Sequence, residues 1–147
     1  MTVQPDPTPA TPPSIPWWVA AIVIVGALLT AAGGIFALAR PETLLEAGQH
    51  MNAAAHVYAG YLISRGLALA LMLLTLLALR ARRMLASLMV LIALVQVIDA
   101  VVDATTGRAS LLPIAVIFAA AFLLGATRLF GQAFWKLSNW RDSPVRR

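Results

Sequence analysis

Four long apolar runs constrain this chain more than any other feature of its sequence. They cover residues 17–39, 53–79, 84–104 and 111–129. Each is long enough to cross a bilayer, because about 20 helical residues span about 30 Å of hydrocarbon. Inside lipid the backbone must satisfy its own hydrogen bonds, so each run is expected to be a helix. The sequence therefore predicts an all-α membrane protein, a bundle of four transmembrane helices.

The composition agrees with a membrane environment and excludes several classes of protein. Of the 147 residues, 61% are apolar and only 12% are charged, whereas about 25% are charged in soluble domains. So few charges cannot cover the surface of a water-soluble monomer. The absence of cysteine excludes disulfides, thiolate catalysis and cysteine-ligated metals. The net charge is +5. The charged residues that produce it lie at the edges of the apolar runs, and this placement indicates membrane orientation rather than nucleic-acid binding.

The chain divides into three predicted regions. Residues 1–16 are rich in proline, which fixes φ and removes a backbone donor, so this tail is expected to be extended and disordered. Residues 17–131 form the transmembrane domain, and residues 132–147 form a basic interfacial tail. The Ala37-Leu38-Ala39 sequence would suit signal-peptide cleavage. However, the first run is too long for a signal peptide and no Lys or Arg precedes it, so a retained span is expected.

The basic residues predict the orientation of the bundle. With four spans, both tails and the turn near residue 82 share one side, and most of the Lys and Arg residues lie there. The basic residues on that side are Arg80, Arg82, Arg83, Arg128, Lys136, Arg141, Arg146 and Arg147. Only Arg40 and Arg108 fall on the opposite side. We therefore expect both termini in the cytoplasm and the protein in the cytoplasmic membrane, with a belt of Trp17, Trp18, Trp135 and Trp140 at that interface.

Small residues indicate where helices approach each other. Gly26, Thr30 and Gly34 recur at a spacing of four in the first run, and Ala121 and Gly125 do so in the last. Such spacing lets helix backbones come close where lipid offers no hydrophobic drive. Packing within the chain is expected, and a homodimer seam is the alternative.

Two charged residues lie inside apolar runs, where a charge is costly and usually paired. Arg65 is in the second run and Asp99 in the third. Because a tight turn centred near residue 82 joins these runs as antiparallel helices, Arg65 and Asp99 are expected to lie level. Both would sit in the outer third of the hydrocarbon. The sequence predicts that they pair.

Other polar residues extend this pair into a predicted ladder that opens outward. The same register sets Tyr61 level with Asp103, and each is one helical turn from its charged neighbour. Gln96 and Tyr58 lie close to the same faces. One interpretation is an ion pair that fixes the hairpin register. The other interpretation is general acid–base chemistry. One arginine needs one carboxylate, but the sequence supplies two carboxylates and a tyrosine beside them, and this set of groups suits proton transfer.

The outer connection contributes three further candidates. Glu46 and His50 are one helical turn apart, and His56 follows at the mouth of the second run. Metal binding is not predicted, because the two histidines do not share a helical face. We interpret the outer connection as a cap over the ladder, in which Glu46, His50 and His56 would contact a bound ligand. No cofactor motif is present, and none is expected.

The block Tyr61-Leu-Ile-Ser-Arg65-Gly66, an Ala/Leu run, an arginine-rich turn and Asp99-Ala100 resembles a family of small four-helix membrane proteins of bacteria and fungi. That family has an architecture similar to DoxX-like proteins. The resemblance covers roughly residues 20–130. It implies a four-helix bundle and draws attention to Arg65, Gly66 and Asp99, and it implies no established activity.

The functional expectation is a pocket for a lipophilic small molecule between the second and third helices. If the protein is an enzyme, cofactor-free isomerisation, cyclisation or epoxide opening fits best. Asp99 and Asp103 would then be the acid and base, Tyr61 a hydroxyl donor and Arg65 an orienting charge. Tyr58, Gln96, Glu46, His50 and His56 would contact the substrate. A proton- or cation-coupled transporter and a non-catalytic accessory subunit are the alternatives.

Overall fold

Four long helices make up almost all of the structure. The computed structural model describes residues 14–40, 52–105 and 112–140. Its helices are α1 (Trp17–Ala39), α2 (Ala53–Ala78), α3 (Arg82–Thr105) and α4 (Leu112–Phe130), and a short 3₁₀ helix follows at Leu137–Asn139. By length and composition all four long helices could cross a membrane. The predicted all-helical architecture of four long apolar helices is confirmed, and it suggests a multi-pass membrane protein.

A tight turn between α2 and α3 ends one helix and begins the next. The amide of Ala81 donates to the carbonyl of Leu76 (3.0 Å), and that of Arg80 donates to Leu77 (3.0 Å). This pair of bonds is the Schellman motif, which closes a helix through one residue in the left-handed region. Arg80 occupies that position with φ of 52°. The turn makes α2 and α3 antiparallel neighbours.

The helices pack as two close pairs, α1 with α2 and α3 with α4, and the contact between the pairs is less extensive. Glycines bring α1 and α2 together. A Cβ built on Gly34 would lie 2.8 Å from the Cα of Ile63, and one built on Gly66 would lie 2.7 Å from the carbonyl oxygen of Thr30. In α4, Gly125 receives the end of the Met89 side chain from α3. Small residues therefore permit backbone approach within the chain, as the spacing predicts.

We call the part of the bundle nearest the α2–α3 turn the turn half and the remainder the far half, dividing the helices at Thr30, Gly66, Gln96 and Phe118. The core lies in the turn half. Its largest fully buried side chains are Phe122, Leu73, Leu85, Met89, Val19 and Val23. In the described far half, every buried residue is glycine or alanine, namely Gly34, Ala37, Ala59, Gly66 and Ala100.

The segment after α4 folds back onto the start of α3. Gly131, with φ of 75°, ends α4. The Arg83 guanidinium donates to the carbonyls of Asn139 (3.2 Å) and Ser138 (3.1 Å). Asn139 is buried, and its side-chain amide donates to the carbonyl of Ala133 (2.8 Å). Residues 131–140 are thus a folded cap attached to α3. This C-terminal cap includes part of the segment for which the sequence predicts a basic interfacial tail.

Candidate functional site

An ion pair joins α2 to α3 near the middle of the bundle. Arg65 Nη2 lies 3.0 Å from Asp99 Oδ2 and donates a hydrogen bond to it. The contact uses one nitrogen and one oxygen, so it is not bidentate like the strongest arginine–carboxylate pairs. The two side chains are 49% and 39% exposed. The pair is therefore accessible from outside the helix bundle.

The other members of the predicted ladder do not close around this pair. Tyr61 and Tyr58 are exposed, 71% and 56%, and neither phenol forms a hydrogen bond with any residue that the structure describes. Asp103 is half-buried and has an interaction of its own. The structure thus brings Arg65 to Asp99, whereas the Tyr61 phenol is exposed and joins neither of them.

The remaining predicted contact residues are divided between the cavity, the surface and the segment outside the described residues. Gln96 is half-buried and lines the cavity considered next. His56 is exposed in the first turn of α2. Glu46 and His50 lie outside the described residues. No group of three or more metal-ligating side chains occurs in the ranges that the structure describes.

A cavity of about 370 Å³ lies between the two helix pairs, on the border of the far half. Its walls are mainly apolar, and its polar side chains are Thr30, Arg65 and Gln96. The apolar wall residues are Leu29, Leu62, Leu69, Ile92, Val95, Ile114 and Phe118. All four helices contribute. Its volume and its lining, apolar with a few polar groups, are typical of small-molecule sites.

The cavity shares Arg65 and Gln96 with the predicted ladder but none of its other members. Neither aspartate lines it, nor does Tyr61 or Tyr58. Arg65 lines the cavity and also holds Asp99, so it connects the two. The contributions of α1 and α4 were not predicted, because the sequence does not say which helices stand opposite the α2–α3 hairpin. Gly66 next to Arg65 was a usable indication, since a buried glycine there brings α1 to the cavity wall.

The hydrogen-bonding capacity of the cavity wall exceeds what the protein uses. A guanidinium has five N–H donors, and Arg65 bonds only Asp99 among the described residues. The Gln96 amide forms no side-chain hydrogen bond with the described part of the chain. Thr30 donates to the carbonyl of Gly26 (2.8 Å), which occupies its hydroxyl proton. The wall therefore presents unused donors to whatever fills the cavity.

Compared with family models, curated proteins and solved structures, the chain has no match in any of the three. The resemblance to small DoxX-like four-helix proteins stays a prediction.

Proposed function

We propose that this protein is a multi-pass protein of the cytoplasmic membrane that binds a lipophilic small molecule in the cavity between its helix pairs. The observation that carries the proposal is an apolar cavity whose wall includes an arginine with unused donors. An arginine inside an apolar span is costly, and such residues usually mark a functional site. Structural pairing with Asp99 alone would not require Arg65 to face a cavity.

The proposed orientation places the turn end in the cytoplasm. Among the described residues, the basic side chains at that end are Arg80, Arg82, Arg83, Arg128 and Lys136. At the opposite end, Arg40 is the one basic residue that the structure describes outside the interior of a helix. This asymmetry follows the positive-inside rule. The cavity would then lie toward the outer leaflet, where a lipid-soluble ligand can enter from the bilayer.

Binding is better supported than acid–base catalysis. Catalysis by Asp99 or Asp103 needs a carboxyl group within hydrogen-bond reach of the ligand, and neither residue lines the cavity. Arg65 and Gln96 can orient a ligand without exchanging a proton with it. The acid–base roles expected for the two aspartates and Tyr61 are therefore not part of the proposal.

The test is saturable photolabelling of the protein in neutral lipid nanodiscs. The probe is dodecanol with a mid-chain diazirine, and the competitor is unlabelled dodecanol. We expect a saturable component over the background that lipid-facing surfaces give. Labelling that does not saturate at any probe concentration would refute the proposal.

Two glycines provide a matched pair of variants for this test. A Cβ at Gly33 or at Gly60 meets no atom within 4 Å, but only Gly33 lines the cavity. Gly33→Leu is expected to fill the cavity and abolish the saturable component. Gly60→Leu makes the same chemical change outside the cavity and should retain it. Equal labelling of the two variants would place the ligand elsewhere.

A further inference from the structure

The charge balance of the cavity specifies the kind of polar group that a ligand presents, and this inference depends on the proposed function. Arg65 is the one charged side chain among the described residues that line the cavity. Its positive charge is already compensated by Asp99 at 3.0 Å. The site as a whole is therefore close to neutral.

An anionic ligand would disturb this balance. A carboxylate or phosphate beside Arg65 would share one guanidinium with Asp99 and leave a net negative charge among apolar side chains. Uncompensated charges in such surroundings are strongly disfavoured. No second Lys, Arg or His lines the cavity within the described residues. The cavity therefore selects against anions although it contains an arginine.

A ligand without any acceptor also fits poorly. It would leave the unused N–H groups of Arg65 and the Gln96 amide facing hydrocarbon, and unsatisfied donors in apolar surroundings cost free energy. Leu62, Ile92 and Phe118 on the surrounding walls suit an apolar body. A single oxygen acceptor on a hydrocarbon frame satisfies both requirements.

We infer that the ligand is a neutral lipophilic molecule with a carbonyl-type oxygen, such as an ester or a ketone, that accepts hydrogen bonds from Arg65 and Gln96. The oxygen would face the guanidinium on the side away from Asp99. In this arrangement Asp99 is a positioning residue that sets the charge preference and does not touch the ligand.

The experiment is competition against the dodecanol photoprobe with three molecules of matched chain. They are methyl dodecanoate, dodecanoate at a pH where it is ionised, and dodecane. In the native protein the ester should compete at concentrations at least about tenfold lower than either of the others, given the usual strength of hydrogen bonds to charged groups. Equal or stronger competition by dodecanoate or by dodecane would overturn the inference.

Two variants test the electrostatic reason. Asp99→Asn removes the compensating charge with little change of shape, so dodecanoate should now compete better than the ester. Gln96→Lys adds a positive charge to the cavity wall and keeps both Arg65 and Asp99, and it should shift the preference in the same direction. Retained preference for the ester in both variants would contradict the charge-balance argument. If the native protein itself showed no saturable labelling, that result would instead refute the proposed binding function.

Discussion

The turn half and the far half of the bundle differ in what they bury. The turn half buries large side chains, among them Phe122, Leu73 and Met89. The far half buries only glycine and alanine within its described residues. Large side chains fill the space between the helix pairs in the turn half. Small ones let α1 meet α2 closely in the far half but leave a cavity between the pairs.

Under the proposed function, this difference separates stability from ligand binding. Packing in a bilayer depends on van der Waals contact and small-residue approach, since lipid is as apolar as the helices. The turn half supplies most of the van der Waals contact, and the α1–α2 glycines supply the close approach of small residues. The ion pair and the cavity lie at the border between the two halves, next to the packed core of the turn half. A site can therefore remain open there without unfolding the protein.

The largest expected effect comes from truncating the core. Phe122→Ala should lower the free energy of unfolding by about 3 kcal/mol, because the ring is fully buried and its loss leaves a cavity. The far-half control is Tyr61→Ala, which removes a ring of similar size that is 71% exposed. The measurement is reversible unfolding in bilayers by steric trapping. Similar losses in the two variants would remove the distinction between the halves.

The α1–α2 glycines should give the next largest effect. Gly66→Ala places a Cβ against the Thr30 carbonyl oxygen, and such overpacking costs about 1–3 kcal/mol. Gly60→Ala, on the same helix with open space around its Cβ, should not lower stability, since alanine is favoured over glycine in a helix by about 0.5–1 kcal/mol. The same unfolding assay compares them. A Gly66→Ala variant as stable as Gly60→Ala would show that α1 does not approach α2 as described.

A smaller effect is expected at the turn between α2 and α3. Arg80 has a φ of 52°, and a residue with a side chain pays about 1 kcal/mol there that glycine does not. Arg80→Gly should therefore be more stable than Arg80→Ala, which removes the same charge but keeps the strain. Thermal unfolding in detergent compares the two variants. The reverse order would argue against a left-handed residue at this turn.

The smallest effect should be that of Asp103 on ligand binding. Asp103→Asn is expected to leave saturable photolabelling unchanged, because Asp103 does not line the cavity. Asp99→Asn, the same change one helical turn away, should alter ligand preference. A loss of labelling in the Asp103 variant would restore the ladder as the binding site.

The helices were predictable from sequence, because apolar length and backbone hydrogen bonding leave a lipid-embedded segment few alternatives. The pairing of Arg65 with Asp99 followed from register, since a short turn relates positions on α2 and α3 by numbering alone. In the structure these two side chains are in contact. Local rules of this kind need no knowledge of the other two helices.

The cavity and the C-terminal cap depend on tertiary arrangement and were not predicted. Phe118 and Thr30 reach the cavity only because α1 and α4 stand beside the α2–α3 hairpin. From the sequence, Arg83 is expected only as a charge that orients the bundle, whereas its guanidinium holds the C-terminal cap through two backbone carbonyls. Asn139, a polar residue among aromatic neighbours, was the available indication of a folded segment.

The location of the photolabel tests the central claim most directly. Mass spectrometry of the labelled native protein should find the saturable label on cavity residues such as Leu69, Ile92 and Phe118. Leu71 and Ile117, which are both 69% exposed on the outer surface, should carry only unsaturable label. Saturable label at Leu71 and Ile117 with none at the cavity residues would contradict a ligand site between the helix pairs.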